Sequence, residues 1–149
     1  MRNKEYISLR KMIEYIDKAI QYTEGYTFEE FCQDDKTVDA TVFSISQIGE
    51  LVKNISKETM ENHSYIEWNM IKGLRNRIVH DYEGISLKSI WYILKNDIIQ
   101  LKEDIQKIIS MEKIKEKFEG EAERLGLKTE DDVVNLIKEF RKEKRDKKS

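Results

Sequence analysis

No proline occurs anywhere in this chain of 149 residues, and glycine occurs only six times. Proline removes a backbone donor and breaks a helix interior, and glycine loosens one. A chain so poor in both can run long helices, and the spacing of its apolar residues decides where. The clearest spacing follows Gly84. Leu87, Leu94, Leu101 and Ile108 recur every seven residues, and Trp91, Ile98 and Ile105 repeat with the same period four positions later. Two interleaved rows of this kind belong to a helix that buries one face along its length. Ser86 is placed to cap it, and the pattern predicts a helix from 86 to at least 110.

Three further helices follow from the same logic. Leu9, Met12, Ile13, Ile16 and Ile20 predict one over residues 4–23, stopped by Gly25. Thr27 with Glu30 makes a capping box for a short helix around Phe31, and residues 34–36 read as a turn. Val38, Thr41, Ile45, Ile48, Val52 and Ile55 predict a helix over 37–56, with a two-sided apolar seam. The pattern breaks over 57–64, which reads as a loop. Trp68, Ile71, Leu74 and Ile78 give the buried face of a helix over 66–82. The expected fold is all-α: an up-and-down four-helix bundle over residues 1–110. Residues 111–149 form a charged helical extension, either part of the same domain or an appended hairpin. In that extension Thr129 starts a last helix with a narrow stripe of Val133, Ile137 and Phe140, and a basic end that frays.

Composition narrows the function. The formal net charge is −2 with 38% charged residues, so no global positive field advertises nucleic-acid binding. Any RNA contact must come from a local patch or a groove assembled between subunits. The single cysteine, Cys32, excludes an intramolecular disulfide, fits a reducing compartment and is expected to be buried. No apolar run approaches the ~20 residues a membrane span needs, and the first residues lack an apolar signal core. A cytoplasmic protein with no membrane partner is expected. His63 has no cysteine or second histidine at ligand spacing, there is no glycine-rich phosphate loop, and no acids pair at metal spacing. No metal or cofactor is expected.

The chemistry concentrates in LRNRIVHDYEG, residues 74–84. On a helix Asn76 and His80, four apart, share a face. Arg75 and Tyr82, seven apart, nearly share another, and Arg77 lies three before His80. An imidazole carries protons near neutral pH. A guanidinium holds a phosphate in two-pronged fashion. Together they are the parts of a ribonuclease that needs no metal: a proton carrier, and a cation for the charge that builds on phosphorus. Upstream, Gly49 lets another helix approach closely. Glu50 beside it either stays exposed or ion-paired, or faces the helix of Arg75.

RNRIVHDY, with arginine at 75, histidine at 80 and tyrosine at 82, resembles the signature of the HEPN superfamily, and more narrowly the HepT-like toxins. The flanking stretches VFSISQIGELVKNIS and GISLKSIWYILKNDI are also similar to that family, so the resemblance runs from about Tyr6 to about Ile109. It implies a homodimer whose motif helices face each other across a cleft. It implies a toxin of a toxin–antitoxin pair that cleaves RNA with Arg75 on the phosphate and His80 as acid or base. Asn76 matches the polar position after the arginine and would orient either group. The resemblance assigns no role to Arg77, which with Glu50 is a supporting candidate by position alone. A small nucleotidyltransferase antitoxin would inactivate the toxin by attaching AMP to Tyr82. The alternative within the superfamily is a non-catalytic module in which the same residues hold a nucleotide or a partner. A third is a purely structural bundle in which the motif only caps a helix.

Overall fold

The computed structural model describes residues 1–80 and 86–147, leaving out the side chains of residues 77, 79 and 80. The fold is all-α, and no strand occurs among the described residues. Helix α1 is Asn3–Tyr22, and Gly25, with φ of 76°, turns the chain after it. Thr27 caps α2, Phe28–Gln33, through the capping box with Glu30. Asp34 alone makes the next turn. Its carboxylate accepts from the Thr37 amide at 3.1 Å and so caps α3, Asp35–Leu51. The Tyr26 hydroxyl donates to the same carboxylate at 2.7 Å, and this bond, followed by those from Thr37, lowers Asp34 to about 2.

A 3₁₀ turn, Val52–Asn54, follows α3. Helix α4 is Lys57–Asn62 and α5 is Trp68–His80. Ser86 caps α6, Leu87–Tyr92, accepting from the Ser89 amide at 3.2 Å. A π-helical turn, Ile93–Asp97, joins α6 to α7, Ile98–Arg124. The buried residues explain the widened turn. Ile90, Leu94 and Ile98 are four apart in succession. An α-helix would rotate them off one face by about 80° over those eight residues. One extra residue in the turn keeps them facing the core. The Asn96 side chain donates to the Tyr92 carbonyl at 3.0 Å within it.

The chain divides into two compact units, Met1–Ile109 and Ser110–Ser149. In the first, α1 packs on α3 and α3 on α5, with α6 and α7 closing an up-and-down bundle of four long helices. One core cluster joins Leu9, Met12 and Ile16 to Ile48, Trp68, Ile71, Leu94, Ile98 and Ile105. A second joins Phe31, Val42 and Ile45 to Leu74, Ile78 and Ile90. A buried carboxylate ties the chain start to the α3–α4 corner. Glu5 accepts from the Ser56 amide at 2.6 Å, the Thr59 hydroxyl at 3.1 Å and the Arg2 amide at 3.2 Å. Burial pushes Glu5 up, but the bonds from Ser56, Arg2 and Thr59 outweigh it and hold it at about 2. In the second unit, Gly126 with φ of 71° ends α7, and the Leu127 amide donates to the Ala122 carbonyl at 2.9 Å. Thr129, with Asp132, then caps α8, Glu130–Asp146. No helix among the described residues is long and apolar enough to cross a membrane.

Several expectations are corrected. The helix expected over 37–56 ends at Leu51, because the chain tightens into the 3₁₀ turn and Ser56 starts a new helix. The loop expected over 57–64 therefore contains α4. His63 ends that helix, half-buried, with its Nδ1 3.2 Å from the Tyr65 hydroxyl. Helix α5 begins at Trp68 rather than 66, and Tyr82 lies outside the described residues. Helix α7 runs on to Arg124, within the expectation of a helix to at least 110. The basic end of the chain stays helical to Asp146. Cys32 is a free, half-buried thiol rather than a buried one.

Candidate active site

The site begins with a missing side chain. A Cβ built on Gly49 of α3 would lie 2.8 Å from the Arg75 Cβ, 2.8 Å from the Ile71 carbonyl oxygen and 3.0 Å from the Arg75 amide nitrogen. The two at 2.8 Å are closer than real Cβ contacts, so glycine lets α3 and α5 cross here without either backbone shifting. The crossing sets the root of the Arg75 side chain against α3, one residue from Glu50. The Arg75 Nε then lies 3.1 Å from Glu50 Oε2. The Arg75 Nη1 donates to Asn76 Oδ1 at 3.3 Å. Lys53 binds the other oxygen of Glu50.

This arrangement has a defined electrostatic state. The hydrogen bond from Lys53 is the largest influence on Glu50. With the positive charges of Lys53 and Arg75 it outweighs partial desolvation and holds the carboxyl below its usual range. Glu50 is therefore a fixed anion at neutral pH and a poor proton carrier. Its work is to hold a guanidinium in place. Arg75 is half-exposed, its side chain 40% accessible. One of its N–H donors goes to Asn76, and the guanidinium is ion-paired with Glu50.

Of the residues singled out in the sequence, the structure brings together Arg75, Asn76 and Glu50. Arg77 and His80 belong to the described backbone of α5, with His80 its last residue, but their side chains lie outside the description. Five residues of ideal helix separate Arg75 from His80 by about 7.5 Å of rise and about 140° of rotation. Lys53 is a member that sequence reasoning missed. Its spacing of three from Glu50 was the available signal.

A groove of about 420 Å³ also flanks α5. Ile71, Leu74, Ile93 and Ile98 form part of its lining, and Tyr65, Met70 and Tyr92 are its exposed large side chains. Asp97, in the π-helical turn, lies in the same groove, and burial first, then the charge of Glu67, raises its carboxyl above the usual range. Nothing in the apolar periodicity announced this groove, because the widened turn that shapes it shifts the register by one residue.

Comparison with known proteins bears on the same helices. The chain matches the family described as Ribonuclease HepT-like over residues 12–108, a span that contains Glu50, Arg75, Asn76 and His80. It is 33% identical over 105 residues to a protein of Caldanaerobacter subterraneus named "Putative RNase", covering 70% of this chain and 94% of that one. It is 34% identical over 101 residues to a "Putative RNase" of Methanocaldococcus jannaschii, covering 68% and 84%. It is 31% identical over 106 residues to the "Probable ribonuclease HepT" of Thermococcus cleftensis, covering 71% and 94%. No solved structure matches it.

Proposed function

Because the chain belongs to the HepT-like ribonuclease family, we propose that it is the toxin of a cytoplasmic toxin–antitoxin pair, an endoribonuclease that needs no metal and works with Arg75 and His80 across a homodimer cleft. The observation that carries this reading is the state of Arg75. It stands on the motif helix, half-exposed, ion-paired with Glu50 and hydrogen-bonded to Asn76. A guanidinium fixed in advance stabilises charge on phosphorus without reorganising at the moment of reaction.

The chemistry is transesterification. The ribose 2′-oxygen attacks the neighbouring phosphorus and its proton goes to a base. The bond to the 5′-oxygen breaks, and that oxygen takes a proton from an acid. The products are a 2′,3′-cyclic phosphate and a 5′-hydroxyl. His80 supplies the proton transfer as base or acid, and Arg75 binds the phosphate oxygens. Asn76 orients the arginine, and Arg77 adds positive charge nearby.

A dimer fits this division of labour. The rotation of about 140° between Arg75 and His80 along one helix is bridged when each cleft takes its arginine from one copy and its histidine from the other. Paired clefts would also concentrate positive charge on a chain whose net charge is −2. The apolar groove beside α5, with Tyr65, Met70 and Tyr92 exposed, offers a surface for a second copy to cover. Inactivation rests on Tyr82, outside the described residues and two positions past His80. A nucleotidyltransferase antitoxin would place AMP on its hydroxyl, and the added phosphate would occupy the arginines and block RNA.

The test is induced expression in a bacterial host. Wild type should arrest growth and degrade bulk RNA, Arg75→Ala and His80→Ala should do neither, and co-expression of the antitoxin should restore growth with Tyr82 carrying AMP by mass spectrometry. Harmless wild type with intact RNA and unmodified Tyr82 would overturn the proposal.

A further inference from the structure

Lys53 lies in the 3₁₀ turn that follows α3, and the ribonuclease reading gives it no part. Helix α3 ends at Leu51, one residue past Glu50. The partial negative charge of the helix end and the Glu50 carboxylate therefore fall together. Two cations from different elements face that carboxylate. Lys53 donates to Oε1 from the turn, and the Arg75 Nε of α5 stands 3.1 Å from Oε2. One oxygen thus faces each cation. The Lys53 side chain is 61% accessible, so packing is not its contribution. Its contribution is to the charge of Glu50, on which its hydrogen bond is the largest influence.

We infer that Lys53 is a positioning residue for RNA: by engaging one oxygen of Glu50 it restrains that carboxylate's grip on Arg75 and keeps the guanidinium open to a phosphate of the strand. The inference rests on the ribonuclease reading of Arg75. A carboxylate free to turn both oxygens to a guanidinium forms a two-pronged pair, the same geometry by which a guanidinium holds phosphate. Such a pair would take up the donors that RNA needs. Charge runs the same way. Arg75 and Lys53 against Glu50 leave the cluster net positive, whereas Arg75 and Glu50 alone cancel. A neutral cluster attracts a phosphate poorly, above all on a chain whose net charge is −2. Lys53 acts through Glu50, so its effect depends on the charge that Glu50 carries.

The test measures binding of a short labelled single-stranded RNA whose riboses carry 2′-fluorine in place of the attacking hydroxyl. It is run at low salt, beside cleavage of the same strand with ordinary riboses. Lys53→Met should weaken binding roughly 10-fold. Lys53→Arg keeps the cation and should stay within about 2-fold of wild type. In a Glu50→Gln background the same Lys53→Met change should cost less than about 2-fold, because no carboxylate charge remains to restrain. Thermal unfolding should be little altered, since the side chain is exposed. Lys53→Met that binds like wild type would overturn the inference. So would an equal loss in both backgrounds, which means that Lys53 meets phosphate directly. Wild type that binds the fluorinated strand but leaves the ordinary one intact contradicts the ribonuclease reading alone, and the two Lys53→Met comparisons still decide the inference. Wild type that binds neither strand overturns both.

Discussion

Arg75 is held by an ion pair to Glu50 and a hydrogen bond to Asn76, and that determines what its replacements should do. Arg75→Ala removes the cation opposite the phosphate and should cost about 10²- to 10³-fold in kcat. Arg75→Lys keeps the charge but loses the fork and the tie to Glu50, and should recover only part of the loss. Glu50→Gln keeps the shape and removes the anchoring charge. It should lower kcat roughly 10-fold by letting the guanidinium wander, with the melting temperature and the pH profile nearly unchanged, since Glu50 carries no proton in the reaction. Steady-state cleavage of a short RNA over a range of pH reads all three. Glu5 makes a separate, structural prediction. Its carboxyl sits at about 2 against an ordinary 4.5, so the stability it lends is complete above 4.5 and is lost as pH falls through about 2. The shift corresponds to something on the order of 3 kcal/mol. Urea unfolding should show wild type well ahead of Glu5→Gln at pH 7, with the gap narrowing steadily below pH 4.5.

At the scale of elements, the contact between α3 and α5 governs the site. Gly49→Ala forces the two backbones apart, because its Cβ would meet Ile71 carbonyl oxygen and Arg75 backbone rather than flexible side-chain ends. It should destabilise the fold by about 1–3 kcal/mol and reduce cleavage by more than the stability loss explains, since the root of Arg75 moves with α5. Thermal unfolding beside kcat separates the two effects. Helices were legible in the sequence wherever caps and periodicity agreed: Thr27, Ser86 and Thr129 each start a helix as their side chains dictate. The α3 end, α4 and the π-helical turn were not. Each depends on hydrogen bonds that replace the ordinary ladder, such as Ser56 capping α4 and Asn96 reaching the Tyr92 carbonyl, and these leave no periodic trace. Of the candidate site, Gly49 announced the close approach, and RNRIVHDY singled out Arg75 and Asn76, which the structure places beside Glu50. The choice of Glu50 as the anchor of Arg75 required the crossing itself.

At the scale of the whole molecule, the homodimer cleft makes a prediction that a single-chain site does not. If each site joins Arg75 of one copy to His80 of the other, mixing inactive Arg75→Ala with inactive His80→Ala restores one complete site per mixed dimer. Equimolar exchange should then recover about one quarter of wild-type activity, since half the dimers are mixed and half their sites are whole. Sites built within one chain would recover none. The central claim, that Arg75 and His80 cleave RNA without a metal, is tested most directly on purified protein. A labelled single-stranded RNA is incubated with wild type in excess chelator, and the ends of the fragments are identified. The account predicts 2′,3′-cyclic phosphate and 5′-hydroxyl ends at an undiminished rate. Arg75→Ala and His80→Ala should each lower that rate by about 10²-fold or more. Cleavage that stops in chelator, leaves 3′-hydroxyl ends or survives both substitutions would contradict it.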